Sequence, residues 1–332
     1  MLINPSLVAT VLQAIGTTGC LYCTYRCLGF LSLYFLPPVP MSRYHPKAEV
    51  GTTKPWGLVT GASAGIGLGY AHELAARGFN VILLGRRLSE LNKAKTAIQA
   101  ECPGTEIRIL VLDAEKATAE EVDEALNSIT DLTLTVIFNN VASLTVRNPD
   151  TDSAFRDLQD YEPDVLDATI NSTARFMLRV CRRLVPVLSN HASRNQTRAL
   201  IVNMGSATRF GFPLMVPYAA TKGFVHAASM ALSREVRYRQ HPIDVVAIML
   251  NEIKTQTNPD AQGPDHRRFA KAVLDRVPRA AMRDMLEVTP WFQHAITLAC
   301  MNLIPEWIYP QVVGKGAEQK IAELAAAKKR KE

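Results

Sequence analysis

Cysteine is sparse: six in 332 residues, with no spacing that reads as a disulfide framework. A disulfide-stapled fold is therefore excluded, which suits a cytosol-facing domain, and the chain is long enough to bury a core without staples. Cys20-x-x-Cys23 has no second pair and no histidine nearby, so it reads as small apolar residues and no metal site is expected. Charge is missing from one region: residues 1–42 hold a single charged side chain, Arg26. Glycine (18) and proline (19) are too few for a collagen-like or low-complexity chain. With 48% apolar and 20% charged residues, disorder of the bulk is excluded as well. The net charge of +6 is uneven, half of it coming from Lys328-Lys329-Arg330-Lys331 and Glu332. The rest is nearly balanced, which argues against a nucleic-acid-binding face. The basic tail is either solvated or set against an anionic membrane surface. No internal repeat is visible.

Leu7 to Tyr25 is an uncharged run of 19 residues, enough to cross roughly 30 Å of hydrocarbon as a helix at about 1.5 Å per residue. A second apolar run, Cys27 to Leu36, ends at Pro37-Pro38; it either lies in the interface or lengthens the first helix. A cleaved signal peptide fits poorly, because no Lys or Arg precedes the run. Arg43, Lys47 and Lys54 follow it, so the positive-inside rule puts the bulk in the cytosol. There the glycosylation patterns at Asn171 and Asn195 would go unmodified. The expected division is a membrane anchor over 1–42, a catalytic domain over 43–314 and a basic tail over 315–332.

From Lys54 onward apolar strands and helices alternate. Strands are expected at Trp56–Thr60, Phe79–Leu84, Glu106–Leu112, Leu134–Phe138, Ala199–Met204 and Ile243–Leu250. Helices are expected at Ile66–Arg77, Leu88–Ala100, Thr118–Ile129, Asp164–Leu188 and Ala219–Tyr238. Six strands alternating with helices predict an α/β fold, a doubly wound parallel sheet covered on both faces. Pro149–Pro163 reads as an exposed polar loop. Asp265–Val288 reads as charged and helical, and Trp291–Val313 as apolar and aromatic.

The first strand runs into Thr60-Gly61-Ala62-Ser63-Ala64-Gly65-Ile66-Gly67. Glycines there allow a tight turn, close approach of backbone to a pyrophosphate, and the positive end of the following helix behind it. The Gly-x-x-x-Gly-x-Gly spacing resembles the coenzyme fingerprint of the short-chain dehydrogenase/reductase superfamily, Thr-Gly-x-x-x-Gly-Ile-Gly. The resemblance implies a Rossmann-type fold and a coenzyme held by Gly61, Ser63, Gly65, Ile66 and Gly67. It also puts Asp113, at the end of the third strand, beside the adenine. Asn139-Asn140-Val141-Ala142 stands where the superfamily has Asn-Asn-Ala-Gly, which makes Asn140 a coenzyme residue. The second strand ends in Leu84-Gly85-Arg86-Arg87 instead of the carboxylate that would hold the ribose of NAD. Either both arginines face solvent or Arg86 attracts a 2′-phosphate, which favours NADP(H).

Tyr218 and Lys222 are four residues apart and share a helix face. An ammonium beside the phenol would pull its pKa down and help it give a proton to a carbonyl. Ser206, 12 residues earlier, is placed to hold that carbonyl. The superfamily adds Asn171, which kinks its helix and anchors a water, completing a tetrad of Asn171, Ser206, Tyr218 and Lys222. After the sixth strand the usual Pro-Gly is absent, but Ile253 and Thr255 keep the spacing of the residues that touch the nicotinamide.

Asn-Asn-Val, Pro213-Leu214 before the tyrosine, Ala-Thr-Lys-Gly-Phe-Val after it, 289–295, Ile-Pro-Glu-Trp at 304–307 and the basic tail narrow the resemblance. They look like the microsomal very-long-chain 3-oxoacyl-CoA reductases and the related 17β-hydroxysteroid dehydrogenases. Departures are Ala142, the 149–163 loop and a short Ser-to-Tyr stretch. The resemblance implies NADPH-dependent reduction of a very-long-chain 3-oxoacyl-CoA or a similar lipid ketone in the endoplasmic reticulum membrane. The rivals are a hydroxysteroid or other lipid-alcohol dehydrogenase and a scaffold without turnover. Expected partners are the lipid ketone or acyl-CoA and the membrane, with a homodimer or other membrane lipid enzymes also compatible, and no nucleic acid. Lys329 lies fourth from the end, but Arg330 departs from a strict dilysine signal. Trp291–Val313 either enters the bilayer surface or packs as core.

Overall fold

The computed structural model describes residues 5–47, 54–142, 155–256, 258–259 and 261–329. Residues 149–154 of the 149–163 loop and the chain end from Arg330 fall outside these residues. One helix, α1 (Pro5–Phe35), contains both N-terminal apolar runs. It is long and apolar enough to cross a membrane. Its side chains are exposed until Gly29, Ser32 and Leu33 pack against the domain. The second run therefore extends the first helix.

Seven strands follow: β1 (Trp56–Thr60), β2 (Asn80–Gly85), β3 (Ile107–Val111), β4 (Leu134–Asn139), β5 (Ala199–Met204), β6 (Ile243–Ile248) and β7 (Glu287–Val288). They form one parallel sheet in the order β3-β2-β1-β4-β5-β6-β7. Side chains alternate across it, as a period of two requires. Val81, Leu83, Val136 and Phe138 enter one core cluster. Ile82, Leu84 and Ile137 enter the other.

The helices between the strands are α2 (Gly65–Ala76), α3 (Leu88–Glu101), α4 (Ala119–Asn127), α5 (Pro163–Ile170), α6 (Phe176–Arg194), α7 (Val216–Tyr238) and α8 (His266–Met282). The chain ends in α9 (Phe292–Met301) and α10 (Tyr309–Lys329). Tyr70, Leu74, Phe269 and Val273 from α2 and α8 fill one face of the sheet. Val180, Leu184 and Leu188 from α6 fill the other.

Two expectations are corrected. The segment 265–288 is not all helix, because its last two residues add β7 beside β6. The helix expected over Asp164–Leu188 runs on to Arg194, and the kink that the resemblance implied at Asn171 takes the form of a π turn, Asn171–Arg175.

The stretch after α1 is fastened to the sheet. Asp244, buried in β6, accepts from Arg43 Nε at 3.0 Å, Tyr44 Oη at 3.1 Å and Arg198 Nη2 at 2.6 Å. Burial, with this carboxylate beside it, pushes the Tyr44 phenol pKa well above its usual value.

Candidate active site

Strand order reverses direction between β1 and β4, and a crevice opens at their C-terminal ends. The glycine turn lies there. Gly61 and Gly65 take φ of +67° and +56°, conformations a side chain disfavours. A Cβ on Gly67 would lie 2.2 Å from the Gly61 carbonyl oxygen and 2.7 Å from Asn140 Nδ2. The N-cap of α2 is Ala64, which offers no side-chain acceptor, so the first-turn N–H groups remain available to an anion.

Asn140 clamps the turn from β4. Its Nδ2 donates to Thr60 O at 3.1 Å, and its backbone N–H donates to Thr60 Oγ1 at 2.9 Å. Thr255 closes the other side, with its Cγ2 3.5 Å from where a Gly65 Cβ would stand. Ile253 is buried behind it. Ser63 and Ile66 lie in the same turn, and both are half-buried.

Beyond the ends of β2 and β3, an open cleft of about 830 Å³ is lined by Arg86, Arg87, Asp113 and Lys116, with Glu121 and Glu124 on its α4 side. Arg86 is 51% exposed and 4.0 Å from Glu115. Asp113 is held in shape by accepting from the Glu115 N–H at 3.0 Å. The turn with no room for side chains and the open first-turn N–H donors fit the phosphates of a nicotinamide dinucleotide.

Tyr218 and Lys222 share the inward face of α7, and the ammonium is 5.4 Å from the phenol ring centroid. Lys222 is 2% exposed, and its Nζ donates to the Met204 carbonyl at the end of β5 at 2.6 Å. Ser206 Oγ accepts from Thr208 N at 3.2 Å and Thr208 Oγ1 at 3.0 Å, which leaves its own proton to face the Tyr218 phenol. Tyr70 of α2 donates to Met204 Sδ at 3.2 Å and links the glycine-turn helix to this strand end. Asn171 opens the π turn, where Phe176 N–H bonds to its carbonyl, and that turn packs against α7. Such insertions recur at functional sites.

The expected lowering of the Tyr218 pKa is not found. Burial pushes it up to about 12, and the hydrogen bond from Ser206 opposes that rise. Burial also lowers Lys222 to about 7. Both groups have left water, the amine is aimed at a carbonyl, and each therefore favours its neutral form.

Several residues of the site were not apparent in the sequence. Thr60 Oγ1 accepts from both Asn140 and Val141. Asn139 and Asn203 join β4 to β5 through a 2.8 Å bond, and Asn203 continues to Ser229 of α7 at 2.9 Å. An asparagine in two adjacent buried strands was the available signal. His294 of α9 replaces the missing Pro-Gly as a support for the loop after β6. Its Nδ1 accepts from Asn251 N at 3.4 Å, and it also bonds to the Glu252 backbone.

Comparison with known proteins agrees with this layout. The short chain dehydrogenase family matches residues 56–264. The very-long-chain 3-oxoacyl-CoA reductase of Pyricularia oryzae is 25% identical over 92% of this chain and 86% of its own length. That of Lodderomyces elongisporus is 32% identical over 80% and 74%. A structure described as giving insight into 7β-hydroxysteroid dehydrogenase stereoselectivity superposes with a TM-score of 0.65 at 21% identity, covering 78% of this chain and 96% of that one. The glycine turn, the Asn140 clamp and the tyrosine–lysine pair all lie within the matched span: the chain is an oxidoreductase acting on CH–OH or C=O groups with a nicotinamide cofactor, and it belongs to the short-chain dehydrogenase family.

Proposed function

We propose that this protein reduces a very-long-chain 3-oxoacyl-CoA to the 3-hydroxyacyl-CoA with NADPH, anchored in the endoplasmic reticulum membrane by residues 1–42 with its catalytic domain in the cytosol. The observation that carries the reading is the Ser206–Tyr218–Lys222 cluster beside the glycine turn. Relatives named very-long-chain 3-oxoacyl-CoA reductase across most of the chain support the substrate.

A bound dinucleotide would supply hydride to the carbonyl carbon. Gly61, Ser63, Gly65, Ile66 and Gly67 would hold its phosphates, Asp113 and Arg86 its adenosine end, and Asn140, Ile253 and Thr255 its nicotinamide half. Ser206 orients the substrate oxygen. With its pKa near 12, Tyr218 is protonated at neutral pH, the form a proton donor needs for reduction. Lys222, at about 7, changes charge readily there and can return the proton along the path that Asn171 and the π turn open.

The test is Tyr218→Phe assayed with a long-chain 3-oxoacyl-CoA. Turnover should fall by about 10²–10⁴-fold while NADPH titration is unchanged. Undiminished turnover refutes the proton donor, and faster turnover of a steroid ketone by the parent protein replaces the substrate.

A further inference from the structure

A surface helix of a water-soluble domain shows polar or charged residues outward. α9 does not. From Trp291 to Pro305 there is no Asp, Glu, Lys or Arg. His294, Ala295 and Leu298 face inward. Ile296 on the outward side is 47% exposed, and in the turn beyond Leu303 and Trp307 are 81% and 77% exposed, with exposed Glu306 beside Trp307 as the one charge.

This face is continuous with the membrane helix. The Phe292 ring lies 5.1 Å from Tyr34 and 6.0 Å from Phe35, in the last turn of α1. Tyr34 Oη donates to Thr289 O at 2.6 Å. The start of α9 is thereby held at the level where α1 leaves the bilayer. Basic residues stand around that level: Arg276 lies 5.4 Å over the Tyr34 ring, Arg279 bonds to Pro37 O, and Arg283 faces Gly29. Such a collar suits lipid headgroups. At ten residues α9 is about 15 Å long, half the hydrocarbon thickness, so it cannot span.

We propose that the outward face of α9 and its following turn, carrying Phe292, Ile296, Leu303 and Trp307, rests in the interfacial layer of the bilayer that α1 crosses. The proposal rests on α1 as a span and not on the reaction assigned above. Its inner face carries His294, so the loop bearing Ile253 and Thr255 hangs from a membrane-seated helix. A lipid-borne substrate would then approach the crevice from the bilayer side.

Tryptophan quenching in the full chain, reconstituted in phosphatidylcholine–phosphatidylserine vesicles, tests this. Acyl-chain-brominated lipid should quench the native emission, and Trp307→Phe should remove much of that quenching. Ile296→Trp should add emission that brominated lipid cuts by about half, as expected for burial of roughly 5–10 Å. If aqueous iodide quenches both positions and brominated lipid neither, the proposal is overturned. If neither agent reaches them, protein covers the face, a second copy for instance, and it is equally overturned.

Discussion

Replacing Lys222 by methionine is expected to stabilise the fold while abolishing turnover. The ammonium has exchanged its water shell for one carbonyl, that of Met204, and its pKa has fallen from 10.5 to about 7. Below pH 7 folded and unfolded chains both carry the charge, so the folded state bears the full desolvation penalty. At about 1.4 kcal/mol per pH unit that penalty is about 5 kcal/mol. Between pH 7 and 10.5 the unfolded chain binds more protons, so stability of the parent protein rises with pH until the penalty is gone. Methionine keeps the apolar stem, loses the charge, and leaves the Met204 carbonyl without its donor, a cost of about 2 kcal/mol. The variant should be ahead by about 2 kcal/mol at pH 7, roughly 3 °C in Tm, and level with the parent near pH 9. Thermal unfolding of the full chain in detergent micelles at both pH values reads this. A variant no more stable at pH 7, or a gap that ignores pH, refutes the reasoning.

Arg86→Glu should weaken NADPH binding about fivefold and NADH little, since its side chain is half in solvent and a surface charge contact is worth about 1 kcal/mol; equal losses by fluorescence titration would remove the phosphate contact. Gly67→Ala forces a methyl against the Gly61 carbonyl and should cost about 1–3 kcal/mol of dinucleotide binding, stability or both. Calorimetric titration and a melt of the same sample would detect it, and unchanged values in both would contradict the close approach. Asp244→Asn leaves two guanidinium groups without their carboxylate and should lower stability by about 2 kcal/mol, seen as a lower urea midpoint. An unmoved midpoint would show that the stretch after α1 is held by other contacts.

The strands that carry the site were legible because each is a run of consecutive apolar residues between turn signals, as in Val81–Leu84 or Leu200–Val202. β7 was not, since a two-residue strand, Glu287–Val288, has no run and exists only because β6 offers it an edge. The π turn did not show in the apolar spacing for a related reason, since one extra residue leaves that spacing readable on both sides, and only the resemblance pointed to a kink at Asn171. The glycine turn could be read residue by residue, because its constraint is local and steric. The ionisation of Tyr218 could not. Spacing puts Lys222 on the same face, but the amine's choice of the Met204 carbonyl and the burial of both groups come from strands and helices far away in the chain. His294 likewise looks in sequence like any histidine in an apolar helix, and only the folded chain shows the loop it supports.

Between α1 and the sheet there is no slack. Phe35 ends the helix, Pro37 is gripped by Arg279, and by Arg43 and Tyr44 the chain is already locked to Asp244. With α1 in a bilayer, as proposed above, a domain mounted on so short a stem would drift and spin in the membrane plane without swinging on a leash. Any neighbour in that bilayer would then meet it at one height and one tilt, and their mutual approach would reduce to rotation about a single vertical axis.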